Sequence, residues 1–293
     1  MILFRGSGVA IITPFHEDGS IDFNSLERLL NFHLENKTDA IIIAGTTGEA
    51  STMTDEEQVE VVKFAVEKIN GKIPVIAGAG SNDTRHGIEL SKMCEDVGVD
   101  GLLQVTPYYN KTSQRGLYKH FEAISNEVSI PIILYDVPGR TGMTIAPETV
   151  AELAKIPNIV GLKDATGDLG YTCKVKSLVP EDFAIYSGND DVVVPLLSLG
   201  GAGVISVWAN ICPMEVHNMC EYFFKGDIKK SYEIQIKYKE LIDALFMEPN
   251  PIPIKSAMNI MGMNAGKLRL PLYEASNETQ ETLNRVLKNL ELI

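Results

Sequence analysis

Short apolar runs alternate with longer amphipathic stretches along most of the chain. The runs are rich in Val and Ile and carry few polar residues, which is typical of strands that are buried on both faces of a sheet. We predict eight strands, at residues 9–12, 40–43, 74–77, 101–105, 131–135, 159–163, 183–186 and 203–207. Their alternation with amphipathic stretches indicates repeated strand–helix units and a parallel sheet.

The amphipathic stretches are predicted to be helices. One of them has a clear start, because Thr54 can cap the helix and the acidic residues at 55–57 complement its dipole. Between the strands, helices are predicted at residues 23–36, 55–69, 84–97, 114–128, 147–155 and 190–199. After the last strand the pattern contains only helices, predicted at residues 214–225, 227–246, 252–261 and 276–292.

These elements predict an α/β fold, a (β/α)8 TIM barrel with a C-terminal helical extension. Eight buried strands separated by helices close more naturally into a barrel than into an open sheet, and a doubly wound sheet is the alternative. The catalytic barrel is expected to span residues 1–225 and the helical region residues 226–293. The length of 293 residues suits this plan, since such barrels commonly have about 250 residues.

The charge of the chain narrows the range of partners. Its formal net charge is −13 at pH 7, and no cluster of Lys and Arg is present to displace counterions, so we expect no binding to nucleic acid. The apolar run at residues 9–12 is far shorter than the roughly 20 residues of a membrane helix, and no signal peptide is recognisable, so a cytoplasmic location without membrane association is expected. The four cysteines form no C-x-x-C pair and are expected to be reduced and buried.

Lys163 is the first candidate for chemistry. In a barrel of this type the active site lies at the C-terminal ends of the strands, and Lys163 closes the apolar run at 159–163. Burial disfavours the charged form of the side chain and leaves the amine free to attack a ketone and form an imine. The alternatives are a lysine that extends into solvent or one that pairs with Asp164.

Further polar groups are predicted at the same rim. The turn at residues 45–49 offers amide and hydroxyl donors that could hold a small carboxylate, or it is an ordinary strand-to-helix turn. Arg140 adds a guanidinium, and three phenols follow the fourth and fifth strands, although tyrosines are also common at the edge of a core. The phenols are those of Tyr108, Tyr109 and Tyr135.

The sequence gives no sign of a cofactor. The five histidines show neither H-x-H nor H-E-x-x-H spacing, so no metal site is predicted. The glycines at 78 and 80 follow a predicted strand, but the third glycine of a dinucleotide-binding loop is missing.

Five segments of the chain resemble the dihydrodipicolinate synthase family. In chain order they are GTTGEA, VTPYYN, LYDVPGRTG, GLKDATG and GVISVWAN, each of which occurs once. The resemblance runs from about Gly6 to the C-terminal helices. It implies a barrel that condenses pyruvate with L-aspartate-4-semialdehyde to give 4-hydroxy-tetrahydrodipicolinate, on the route to diaminopimelate and lysine, without a metal or an organic cofactor.

The resemblance also implies catalytic roles. Lys163 stands where the family has its Schiff-base lysine, and Tyr135 stands where it has a tyrosine that transfers protons. Thr46 and Tyr109 match the other members of a hydroxyl relay. In the family the residue at the position of Tyr109 reaches into the neighbouring subunit's site, so we expect at least a dimer, and a homotetramer built from two dimers.

Substrate-binding positions follow from the same resemblance. Thr47 matches the residue that holds the pyruvate carboxylate, and Gly188 and Ile205 match residues that line the pyruvate pocket. Arg140 matches the cation that receives the carboxylate of the second substrate, a task that suits the bidentate fork of a guanidinium.

The chain departs from the lysine-inhibited members of the family at their regulatory pocket. Ala50, Asp55 and His86 occupy positions where those members carry Ser, His and Glu, whereas Asn82 and Tyr108 are retained. A histidine in place of the glutamate removes a counter-charge for the ammonium group of lysine. We therefore predict weak or absent inhibition by lysine.

Two other functions are compatible with parts of the pattern. N-acetylneuraminate lyases and keto-deoxy-sugar-acid aldolases of the same superfamily share the lysine and the tyrosine, but commonly lack a cation at the position of Arg140. A non-catalytic barrel that binds a keto acid is the alternative outside the enzymes, and the presence of Lys163, Tyr135 and Thr46 argues against it.

Overall fold

Eight parallel strands close into a barrel in chain order in the computed structural model, which describes residues 2–293. The strands are β1 (Gly6–Ala10), β2 (Ala40–Ile43), β3 (Val75–Gly78), β4 (Gly101–Val105), β5 (Ile132–Asp136), β6 (Ile159–Asp164), β7 (Ala184–Ser187) and β8 (Gly203–Ser206). The closure is made by β1 and β8, which pair from Gly6 with Gly203 to Val9 with Ser206. The predicted (β/α)8 barrel is confirmed, and the doubly wound alternative is wrong.

The first strand lies earlier in the chain than predicted. The apolar pattern placed it at residues 9–12, whereas β1 begins at Gly6 and includes Ser7. Neither residue is apolar, so neither contributes to the pattern. Their place in the strand is set by neighbours, because the Ser7 amide donates to the Asp39 carboxylate (2.7 Å) and the Gly6 amide donates to the Ala202 carbonyl (3.0 Å).

Thirteen α-helices lie within residues 2–293. They are α1 (Phe23–Glu35), α2 (Asp55–Ile69), α3 (Thr84–Asp96), α4 (Gln114–Ser125), α5 (Pro138–Thr141), α6 (Pro147–Leu153), α7 (Leu169–Lys176), α8 (Val193–Ser198), α9 (Pro213–Phe224), α10 (Ile228–Lys237), α11 (Lys239–Ala244), α12 (Ile252–Ile260) and α13 (Asn277–Asn289). Thr54 caps α2 as predicted, and its capping box with Glu57 is complete.

Three helical predictions differ from the structure. The short helices α5 and α7 were not predicted, and in α7 only Thr172 and Val175 are buried, which is too few to produce an amphipathic pattern. The stretch predicted as one helix at 227–246 is divided into α10 and α11 at Tyr238, whose buried ring packs against Trp208. The stretch predicted at 190–199 begins as a 3₁₀ turn and becomes α-helical only at Val193.

The strands separate two apolar cores. One fills the interior of the barrel, and the other lies between the strands and the surrounding helices. Along β5, Ile133 and Tyr135 belong to the interior core, whereas Leu134 belongs to the outer one. This alternation directs Tyr135 into the barrel and its neighbour Asp136 towards the helices.

The C-terminal helices share the outer core with the barrel. Gln235 of α10 accepts a hydrogen bond from the Val194 amide (2.8 Å) and donates to the Asp190 carbonyl (3.4 Å). Lys255 of α12 pairs with Glu49, which follows β2. The helical region is therefore packed against the loops at the C-terminal ends of the strands, and its division from the barrel at residue 225 stays a prediction.

The cysteines only partly match expectation. Cys94, Cys212 and Cys220 are buried, whereas Cys173 is exposed because α7 turns it towards solvent. No helix within residues 2–293 combines the length and the apolar character needed to cross a bilayer.

Substitution of Gly203 is expected to disrupt the closure of the barrel. A Cβ atom at this position would lie 2.0 Å from the carbonyl oxygen of Gly6. This oxygen belongs to the backbone of the paired strand β1 and has no room to move away. Gly203→Ala should lower the free energy of unfolding by at least about 3 kcal/mol, the upper end of ordinary overpacking. Gly139→Ala is the control, because a Cβ there meets nothing within 4 Å and should change stability by less than about 0.5 kcal/mol. Equal unfolding midpoints in a denaturant titration would contradict this expectation.

Candidate active site

Lys163 lies inside the barrel beside Tyr135. The two residues are paired in register on the neighbouring strands β6 and β5, and the lysine Nζ lies 4.3 Å from the centre of the Tyr135 ring. Lys163 is only 6% exposed, and no carboxylate of residues 2–293 lies within ion-pairing distance of its amine. Asp164 instead contacts Thr166 and Thr172. Both alternatives, a lysine in bulk solvent and a pair with Asp164, are therefore excluded.

A cavity of about 500 Å³ opens above Lys163 at the C-terminal ends of the strands. Six of the eight predicted site residues line it, namely Thr46, Thr47, Tyr135, Arg140, Lys163 and Gly188. The barrel brings them together because parallel strands end at the same rim. The hydroxyl groups of Thr46 and Tyr135 face this cavity without a hydrogen bond to each other or to another of residues 2–293.

The other two predicted residues do not line this cavity. Ile205 is buried in the interior core, and Val207, which follows β8, lines the cavity instead. Tyr109 has a positive φ of 71° and is 94% exposed, so its ring points away from the site of its own chain. Tyr108, the preceding residue, lines the cavity.

The turn after β2 has a strained backbone. Ala44 and Glu49, at its two ends, have φ values of 52° and 57° in the left-handed region, where non-glycine residues are uncommon. The Glu49 amide donates to the Thr46 carbonyl (3.1 Å), which closes the turn on itself. Gly78 allows the close approach of this backbone, because a Cβ there would lie 2.4 Å from the Ala44 carbonyl oxygen. Thr46 and Thr47 are thus presented by a tightly held loop.

Asn250 is a site residue that the sequence reasoning did not identify. It lies between α11 and α12, and its side-chain amide donates to the Thr47 hydroxyl (3.0 Å). Its backbone carbonyl accepts from the Arg140 guanidinium (2.9 Å). A polar residue before a proline in a loop carries no specific signal, so the sequence alone offered only a weak indication.

Two buried carboxylates support the walls of the site. Burial raises the pKa of Asp136 to about 7, and its Oδ2 accepts from the Ile145 amide (2.9 Å). Burial also raises the pKa of Asp190, and its hydrogen bond with the Ser206 side chain opposes that shift. Asp190 Oδ2 accepts from the amides of Val207 and Trp208, and so holds the loop that follows β8. Within residues 2–293, no three His, Cys, Asp or Glu side chains are grouped as ligands of a metal ion.

Three of the five positions that match the regulatory pocket of lysine-inhibited family members line the same cavity. Ala50 and His86 line it, and His86 Nε2 lies 2.9 Å from the Asp55 carboxylate. Asn82 donates to the Tyr108 carbonyl (3.0 Å). The Asp55 carboxylate therefore lies behind His86, outside the lining of the cavity, and already contacts the imidazole.

Comparison with known proteins agrees with this architecture. The profile of the Dihydrodipicolinate synthetase family matches residues 3–290. The chain is 55% identical over 294 residues to the 4-hydroxy-tetrahydrodipicolinate synthase of Clostridium tetani, with all of both chains covered. It is 55% identical over 287 residues to that of Caldicellulosiruptor bescii, which covers 98% of this chain and 97% of the relative.

Solved structures show the same relationship. The dihydrodipicolinate synthase of Thermotoga maritima superposes with a TM-score of 0.98 at 45% identity, and all of both chains is covered. The barrel, the cavity and the full-length relatives lead to one assignment. The chain belongs to the dihydrodipicolinate synthetase family and is a lyase of the class I aldolase type.

Proposed function

We propose that this enzyme condenses pyruvate with L-aspartate-4-semialdehyde through a Schiff base on Lys163, giving 4-hydroxy-tetrahydrodipicolinate for the synthesis of diaminopimelate and lysine. The observation that carries the proposal is the Lys163 amine, which is buried, free of a carboxylate partner and open to a cavity of about 500 Å³. The names of the relatives from Clostridium tetani and Caldicellulosiruptor bescii support the choice of substrates.

The reaction begins with attack of the Lys163 amine on the keto carbon of pyruvate. Loss of water gives an iminium ion, which withdraws electrons and acidifies the neighbouring methyl group. The resulting enamine attacks the aldehyde carbon of the second substrate, and ring closure by that substrate's amine releases Lys163. The imine itself is the electron sink, so the proposed reaction requires no metal and no organic cofactor.

Tyr135 is proposed to move protons during formation and release of the imine. Its ring lies against the amine, and its hydroxyl has no other partner within residues 2–293. Thr46 is the proposed next member of a hydroxyl relay. Tyr109 is the third member, and because its ring leaves the site of its own chain, we propose that it completes the relay of a neighbouring subunit.

Two residues are proposed to hold the substrate carboxylates. Thr47 accepts a hydrogen bond from Asn250, so its own hydroxyl proton is free to donate to the pyruvate carboxylate. One guanidinium nitrogen of Arg140 donates to the Asn250 carbonyl. The remaining N–H groups are proposed to donate to the carboxylate of the second substrate. Gly188 lines the cavity, and Ile205, which lies in the interior core and not in the lining, is proposed to limit the space around pyruvate from within the barrel.

The assembly is proposed to be at least a dimer, and a homotetramer of two dimers. The support is Tyr109, an aromatic residue that is 94% exposed in the single chain and stands next to the cavity-lining Tyr108. A ring that extends from the rim of the cavity in this way is placed where it can enter the site of a second copy of the chain. The location is proposed to be cytoplasmic.

Trapping with borohydride tests the Schiff base. Reduction in the presence of pyruvate should leave a stable adduct on Lys163, detected by mass spectrometry of peptides, and Lys163→Ala should abolish it. Lys155→Ala is the control, because this surface lysine pairs only with Glu152 and its loss should leave the adduct intact. A wild-type protein without a mass shift would refute the proposal.

Substrate specificity is tested by offering pyruvate with either aspartate-semialdehyde or N-acetylmannosamine. The sugar-acid aldolases of the superfamily share the Schiff-base lysine and the tyrosine. The position of Arg140 at the cavity favours the small aldehyde that carries a carboxylate. Turnover is expected only with aspartate-semialdehyde. Turnover with the sugar alone would reassign the substrate.

Removal of the Tyr135 hydroxyl should slow the reaction without removing the nucleophile. Tyr135→Phe is expected to lower kcat by about 10²-fold or more, the usual scale for loss of a proton-transfer group. Tyr186→Phe is a matched control, since this buried hydroxyl also lies in the barrel but donates to the Phe4 carbonyl (2.8 Å). It should cost about 1 kcal/mol of stability and leave kcat unchanged. Wild-type rates in Tyr135→Phe would contradict the assigned role.

Inhibition by lysine is expected to be weak or absent. The ammonium group of lysine would have to compete with His86 for the Asp55 carboxylate, and His86 itself replaces an acidic residue. Initial rates at saturating pyruvate should be unaffected by submillimolar lysine. Strong inhibition in that range would show that the region around His86 and Asp55 still binds the amino acid.

A further inference from the structure

Glu49 and Lys255 form a buried ion pair between the barrel and the C-terminal helices. Glu49 Oε1 lies 2.6 Å from Lys255 Nζ, and the exposed fractions of the two side chains are 0% and 2%. The lysine also donates to the Lys267 carbonyl (2.6 Å), and its amine lies 4.5 Å from the centre of the Phe15 ring. The second oxygen of Glu49 accepts from the Arg269 amide (3.0 Å). Both charged groups therefore have hydrogen-bond partners within the protein and are shielded from water.

Stability alone is a poor reason for such a pair. Two charges lose their hydration when they are buried, and well-packed apolar residues in their place are often equally or more stabilising. Neither side chain lines the cavity above Lys163, so neither can contact the substrate. The role of the pair is therefore indicated by the segment that it holds in place, the turn after β2.

Glu49 ends the strained turn that carries Thr46 and Thr47. Its φ of 57° is in the left-handed region, and its amide closes the turn on the Thr46 carbonyl. Such a backbone persists only where surrounding contacts determine it fully. Those contacts are the two anchors of the Glu49 carboxylate, on Lys255 and on the Arg269 amide, and both belong to the C-terminal region.

We propose that Glu49 and Lys255 are a positioning pair, which locks the Thr46–Thr47 turn in its reactive geometry and makes the C-terminal helical region a requirement for catalysis. Asn250, five positions before Lys255, anchors the Thr47 hydroxyl from the same segment. The inference rests on the proposed function, since it assigns the turn to proton transfer and to binding of pyruvate.

The charge state of the pair suits this role near neutral pH. Burial lowers the pKa of Lys255 to about 8, and the Glu49 carboxylate opposes that shift. The lysine is therefore still mostly protonated at pH 7, and its ammonium group can donate to Glu49 Oε1.

Three variants test the positioning pair, with kcat, the KM for pyruvate and the rate of borohydride trapping measured well below each unfolding temperature. Glu49→Gln keeps the shape of the side chain, but its amide nitrogen cannot accept, so one of the two anchors is lost. The double variant Glu49→Gln/Lys255→Met removes the ion pair without leaving an unpaired charge. Glu27→Gln is the control, because Glu27 pairs with Lys68 (2.7 Å) between α1 and α2 and contacts neither the turn nor its anchors.

We expect kcat to fall by about 10-fold in Glu49→Gln and by about 10²-fold in the double variant, the scale of a small misplacement of reacting groups. The adduct on Lys163 should still form, but more slowly, because the nucleophile is untouched. Glu27→Gln should leave both kcat and the rate of trapping unchanged.

Normal kcat and trapping rates in Glu49→Gln, with or without a lower unfolding temperature, would overturn the positioning role. This holds even if the double variant does not fold, because the near-isosteric single variant decides alone. Failure of the wild-type protein to form any adduct would overturn the proposed function and this inference together, whereas normal wild-type trapping beside unaffected variants overturns only the positioning pair.

Discussion

A buried amine without a counter-ion is the constraint on which this structure depends. An ammonium group is costly to remove from water, and a fold tolerates the loss only where the group has a partner or a task. Lys163 has no carboxylate partner within residues 2–293 and faces the ring of Tyr135 and an open cavity. The closed barrel makes this possible, because its apolar interior shields the stem of the lysine and leaves only the strand end open.

The C-terminal helices are part of the site rather than an addition to the barrel. Asn250 connects Thr47 with Arg140, and Lys255 reaches Glu49 a few residues further along the same segment. Together these contacts tie the turn after β2 to α12. The proposed chemistry therefore depends on side chains from both ends of the chain.

The net charge of the chain does not favour the binding of anions. A net charge of −13 opposes the approach of anionic substrates over long distances. Recognition of the proposed substrates must then come from local donors, and Thr47 and Arg140 are residues with such donors that line the cavity. Asp55 and His86 nearby contact each other, so the carboxylate beside the cavity already has a partner.

Local pattern in the sequence was sufficient for the fold, and most of the candidate site was predicted only once the resemblance to the family was added to that pattern. The alternation of buried strands with helices predicts the barrel, and barrel geometry then places residues that end different strands at one rim, so Lys163 and Tyr135 could be expected to meet. Tertiary structure alone decided the contacts of Asn250 and Lys255, which lie 203 and 206 residues from their partners Thr47 and Glu49 and carry no periodic signal. It also decided that Ile205 belongs to the interior core and not to the lining of the cavity, and that Tyr109 turns away from the cavity. The direction of a residue at a strand end or in a left-handed turn depends on backbone angles that neighbouring elements impose.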